Sequence, residues 1–86
     1  MEEVVHGNFR IRPVADSYFL IDMTDRGSDY RSPLELNELS ARILEACWKG
    51  MEVAEITEAI CREYDAKAAD VEADVTAVLQ RLSQYI

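Results

Sequence analysis

The first third of the chain alternates apolar and polar residues with the two-residue period of β-strands. In "FRIRPV", Phe9, Ile11 and Pro13 fall on one side and Arg10, Arg12 and Val14 on the other. "SYFLIDM" follows after Ala15-Asp16, a link of the length that joins antiparallel strands in a tight hairpin. "TDRGSD" interrupts the pattern around Gly27, and "YRSPLEL" resumes it. There Tyr30, Ser32, Leu34 and Leu36 share one face, and Arg31, Pro33 and Glu35 the other. Proline has no amide hydrogen to give to a ladder, so a strand that holds one is expected at a sheet edge, exposed along one side.

Past Leu36 the period lengthens to that of a helix. Asn37 is a favoured N-cap, and Glu38 puts a negative charge in the first turn, where the helix dipole favours it. Leu39, Ile43, Ala46 and Cys47 recur at helical spacing, Trp48 extends that face or anchors its rim, and Gly50 suits the position just past the end. Val53, Ile56, Ile60 and Tyr64 make a second stripe; Val71, Val75, Val78, Leu79, Leu82 and, at its far end, Ile86 make a third. All three stripes read as core. The expected fold is α+β, a three-stranded antiparallel sheet followed by three helices. Helices this short do not stand alone, so the stripes should pack on one another and on the sheet.

Composition narrows the function. Eighty-six residues suffice for one domain, here expected to be 1–86. With 49% apolar and 30% charged residues the chain should fold and stay soluble. It has no run approaching the roughly 18 apolar residues of a membrane span. Its acidic start, "MEEVVHGNF", is unlike a signal peptide, so a cytoplasmic protein is expected. Seventeen carboxylates against nine Lys and Arg give a net charge of -8, which disfavours nucleic-acid binding.

Cys47, Cys61 and the one histidine, His6, cannot supply four zinc ligands, and a cytoplasmic chain seldom keeps a disulfide. Both cysteines are expected to be buried small apolar residues, with a redox pair as the other reading. Asp22, Asp25 and Asp29 surround Gly27 without calcium-loop spacing and read as a solvated turn. There is no Gly-rich phosphate loop, and no Ser/His/Asp or Cys/His set that one histidine serves. No catalytic residue, metal or cofactor is expected, and the carboxylates read as wet helix faces.

The ordered set Leu36-Asn37-Glu38, Ile43, Gly50, Val53, Ile56, Tyr64-Asp65, Asp74-Val75, Leu79 and Leu82 resembles the PqqD-like proteins. These are the recognition elements of ribosomally made, modified peptides, and the likeness runs from about Phe9 to the end. The resemblance implies a fold similar to a winged helix-turn-helix. It also implies that a precursor's leader peptide adds as a strand along the third strand, in a groove closed by the third helix. The partners implied are that leader and a modifying enzyme, such as a radical-SAM protein or, in lasso-peptide pathways, a leader peptidase.

The candidate edge is Tyr30, Arg31, Ser32, Leu34, Glu35 and Leu36, whose backbone groups and side pockets suit such a guest. On the third helix Asp74, Ala77, Arg81 and Tyr85 are the candidate lining, with Val78 and Leu82 as the apolar floor. Arg81 reads either as a partner for an acidic leader residue or as a solvated cation, and Tyr85 as a rim aromatic or a frayed terminus. Pro33 should interrupt or shift pairing along the edge, and Glu52 and Lys67 stand where the family has better helix caps. Two other classes compete: a winged-helix DNA-binding regulator, disfavoured by Glu55, Glu58 and Glu63 against Arg62 on the second helix, and a generic protein-interaction domain. An open sheet edge also allows a homodimer.

Overall fold

The computed structural model describes residues 2–24 and 32–86. They fall into two compact units, Met1–Ala41 and Arg42–Ile86.

The first unit is a four-stranded antiparallel meander: β1 (Val4–His6), β2 (Phe9–Val14), β3 (Ser17–Asp22) and β4 (Leu34–Leu36), side by side in chain order. The sheet thus has one strand more than the pattern predicts. A three-residue strand is too short to show an alternation. Its signal is the following Gly7-Asn8, a two-residue hairpin link that pairs His6 with Phe9. Gly7 takes a φ of 58°, a left-handed conformation that costs glycine nothing sterically.

The second hairpin is the expected one, with Ala15-Asp16 linking the pair Val14 and Ser17. Ala15 also has a positive φ, 54°, where a Cβ is unwelcome. Ala15→Gly should relieve that strain against some added freedom in the unfolded chain, a gain of about 0.5–1 kcal/mol. A melting temperature raised by about 2–8 °C is the expected reading in a thermal melt.

Register places Ile11, Leu20 and Leu34 in one row across the sheet and Pro13, Tyr18 and Leu36 in the next. Ile11, Leu20 and Leu36 on this face are buried. The opposite face carries the row Arg12, Phe19 and Glu35. The expected alternation of β2 and β3 is therefore present. β4 is shorter than the stretch Tyr30–Leu36. Ser32 and Pro33 precede the strand, and Tyr30 and Arg31 lie outside the described residues. Pro33 therefore withdraws no donor from the β3–β4 ladder, because the ladder begins only after it, at Leu34.

A single residue, Asn37, turns strand into helix. Its Oδ1 accepts the Ser40 N–H at 2.8 Å and its carbonyl accepts the Ala41 N–H at 3.0 Å, so the first orphan donors of α1 (Glu38–Trp48) are met where β4 ends. α1 stops as its sequence foretells. Gly50, at φ 87°, lets its own N–H reach the Cys47 carbonyl at 3.0 Å and the Met51 N–H reach Ala46 at 3.2 Å, the paired bonds of a Schellman ending.

In the second unit α2 (Val53–Tyr64) packs along α3 (Ala68–Arg81), and a short 3-10 turn, Ser83–Tyr85, follows. The start of α2 is better capped than expected. The Glu55 carboxylate accepts the Glu52 N–H at 3.1 Å, the reciprocal half of a capping box. Lys67 gives α3 no side-chain cap, as expected, and Asp70 supplies the first-turn charge instead. Ile43, Leu44, Ile56, Ile60, Val71, Val75 and Leu82 are buried.

Several details differ from the expected stripes, among them Val53, Val78 and Leu79, which are only half-buried. α1 buries Ser40, Ala41 and Leu44 beside Ile43, whereas Leu39, Ala46 and Cys47 are only half-buried. Small residues such as Ser40 and Ala41 do not stand out in a hydropathy pattern. Tyr64 is exposed and lies under the Arg42 guanidinium, 5.9 Å from ring centroid to the charge centre, and Ile86 is exposed too. Both cysteines are free and half-buried, not buried.

Candidate functional site

The outer side of β4 is open: β3 pairs with one side, and among the described residues no strand lies on the other. A strand in that position presents unpaired N–H and C=O groups. Leu34 is 40% exposed, so the apolar row Ile11, Leu20 and Leu34 reaches the rim of the sheet with a side chain still wet. Glu35 points to the opposite face, exposed, and its Oε1 accepts the Ser17 hydroxyl at 2.9 Å. Leu36 is 2% exposed as a whole residue, so the accessible part of this edge is at Leu34 and Glu35. Ser32 and Pro33 are exposed just upstream.

The candidate residues of the last helix lie in the second unit and are not alike. Asp74, Ala77 and Arg81 are exposed, Val78 is half-buried, and Leu82 is fully enclosed. Leu82 is thus core, with no surface to give a guest. Ala77 belongs to a solvent-facing strip, where it lines a shallow hollow with Ala69, Ala73 and Thr76. Tyr85 is half-buried, and its carbonyl accepts the Trp48 indole N–H at 2.8 Å, so that end of the chain is tied down rather than frayed.

Sequence reasoning did not foresee a cleft of about 180 Å³ between α1 and α2, floored by Ala46, Met51, Ile56, Ala59 and Ile60. Its rim is closed by the ion pairs Arg42–Glu63 and Glu45–Lys49. The second of these is an i,i+4 pair visible in the sequence; the first joins positions too far apart in the chain to be seen there. On α2, Arg62 pairs with Glu58, which leaves a helix surface hostile to phosphate.

Among the described residues no group of three or more His, Cys, Asp and Glu is placed to hold a metal ion. Asp22 Oδ1 instead accepts the Thr24 N–H at 2.9 Å, and Asp25 and Asp29 lie outside the described residues. No helix among those described is long and apolar enough to cross a membrane.

The fold is similar to that of TbiB1, solved in complex with the TbiA(beta) leader peptide. The likeness has a TM-score of 0.71 and 22% sequence identity, and it covers 99% of this chain and 91% of that one. The sequence family described as coenzyme PQQ synthesis protein D (PqqD) matches residues 23–85, and the chain belongs to that family. No protein of curated function matches it.

Proposed function

We propose that this protein is a non-catalytic recognition module, which binds the leader segment of a ribosomally made precursor by strand addition along β4. It then presents the rest of the precursor to a separate modifying enzyme. The observation that carries this reading is the open edge of β4, with a half-wet leucine at its rim, in a member of the PqqD family. An extended guest meets the exposed main-chain groups there, and side chains along the rim give selectivity. Within this reading Tyr30, Arg31 and Ser32 continue the contact surface upstream of Leu34, Glu35 and Leu36.

The family resemblance adds Asp74, Ala77, Val78, Arg81 and Tyr85 as contacts, with Leu82 supporting from the core. That assignment, the winged helix-turn-helix likeness and the treatment of 1–86 as one module rest on the family. The modifying enzyme is of the radical-SAM or leader-peptidase type, and the meeting place is the cytoplasm, where the precursor is made. A second copy of the chain competes for the same edge, so a dimer should yield to the peptide.

Titrating the 15N-labelled protein with synthetic leaders encoded beside its gene tests the proposal. Micromolar or tighter binding is expected, with amide shifts concentrated at Leu34–Leu36 and along Val71–Leu82. Shifts at Val53–Tyr64 on adding duplex DNA, with none from any leader, would overturn it in favour of the DNA reading.

A further inference from the structure

Resting on the proposed strand addition, we infer that the docking segment of the leader is cationic. The residue that comes to lie beside Glu35 is a lysine or arginine, and apolar residues flank it on either side.

The argument begins with how little the backbone offers. The strand is three residues long, and Pro33, immediately upstream, donates no hydrogen bond. Main-chain pairing over so short an edge supplies a few bonds that are the same for every sequence. Discrimination therefore has to come from side chains.

Strand geometry says where they go. Successive side chains of an added strand point to alternate faces, whichever way it runs. A residue beside Leu34 falls on the apolar face, at the end of the row Ile11, Leu20 and Leu34. Its neighbour in the guest falls beside Glu35, on the other face. The guest therefore reads apolar, partner of Glu35, apolar.

Charge then selects the middle residue. Glu35 is exposed, and its partner among the described residues is a neutral hydroxyl, that of Ser17, which orients the carboxylate without neutralising it. The cation in its own cross-sheet row, Arg12, is separated from it by Phe19 and is already paired with Glu3 at 2.7 Å. A guest cation would find an unmatched charge at contact distance, whereas a guest carboxylate would be repelled by it. The net charge of -8 acts the same way at longer range, attracting cationic segments more strongly in low salt.

The test uses a pair of synthetic extended peptides, identical except for one position in an otherwise neutral leucine and threonine alternation, lysine in one and glutamate in the other. Calorimetric affinities for wild type, Glu35→Gln and Glu35→Lys are compared in low and moderate salt. Wild type should prefer the lysine peptide by about fivefold, and less as salt rises. Glu35→Gln, which keeps an acceptor for Ser17, should lose most of that preference, and Glu35→Lys should reverse it. Both peptides binding wild type and variants with one unchanged preference would overturn the inference while leaving leader binding intact. Failure of both peptides to bind wild type at millimolar concentration would overturn the inference and strand addition together.

Discussion

Ile56→Ala should remove a large part of the protein's stability. Ile56 is 1% exposed in the middle of the apolar face of α2, the helix that packs along α3. Truncating a buried isoleucine to alanine costs about 2–5 kcal/mol, the transfer free energy of the lost carbons plus the cavity they leave. A chain of this length has about 4–13 kcal/mol in total. The change therefore takes between a sixth of the stability and all of it. At 3 kcal/mol the melting temperature falls by about 12–24 °C. Far-UV circular dichroism and the fluorescence of Trp48, the one tryptophan, follow the loss. A fall of under about 4 °C would mean that the α2 face is not the packed seam described here.

How much of this was legible beforehand depended on whether the cause was local. Asn37 and Gly50 announce both ends of α1 because capping is decided within four residues, by an acceptor for the Ser40 N–H and by a positive φ. The hairpin at Ala15-Asp16 is equally local. β1 was not legible, because three residues carry no period and Gly7-Asn8 is a faint mark. Tyr64 fits a helical stripe as well as Ile60 does. What separates them is a cation from α1, Arg42, and no periodicity records that.

The candidate site divides along the same line. Pro33 pointed to an edge, and β4 is at an edge, yet the proline stands before the strand rather than within it, since the ladder begins at Leu34. Val78 and Leu82 share one stripe of α3, and only the packed structure shows that Leu82 is wholly enclosed while Val78 keeps some surface. In the sequence Glu35 is one edge residue among several. Its distinction appears once register sets Phe19 beside it, between it and Arg12, and Ser17 within hydrogen-bond reach.

Leu34→Arg should weaken leader binding at least tenfold and leave the fold standing. The side chain is 40% exposed, so the folded protein depends on it little and tolerates a long polar replacement. A docked strand would cover what remains exposed. That burial is worth about 1 kcal/mol on a scale of 1.5–3 kcal/mol for a whole leucine. The new charge at the rim adds desolvation and, for a cationic guest, repulsion. Together these exceed the 1.4 kcal/mol that corresponds to a factor of ten. The comparison that gives the result meaning is Val5→Arg. β1 is the other outer strand of the same sheet, and Val5 is 58% exposed on it, so this variant makes the same change of charge at the opposite rim. Loss of affinity in Leu34→Arg with near wild-type affinity in Val5→Arg places the guest on β4. The reverse pattern would place it on β1, where Glu3 already ties Arg12 across the hairpin, and equal losses would mean that net charge, not an edge, decides binding.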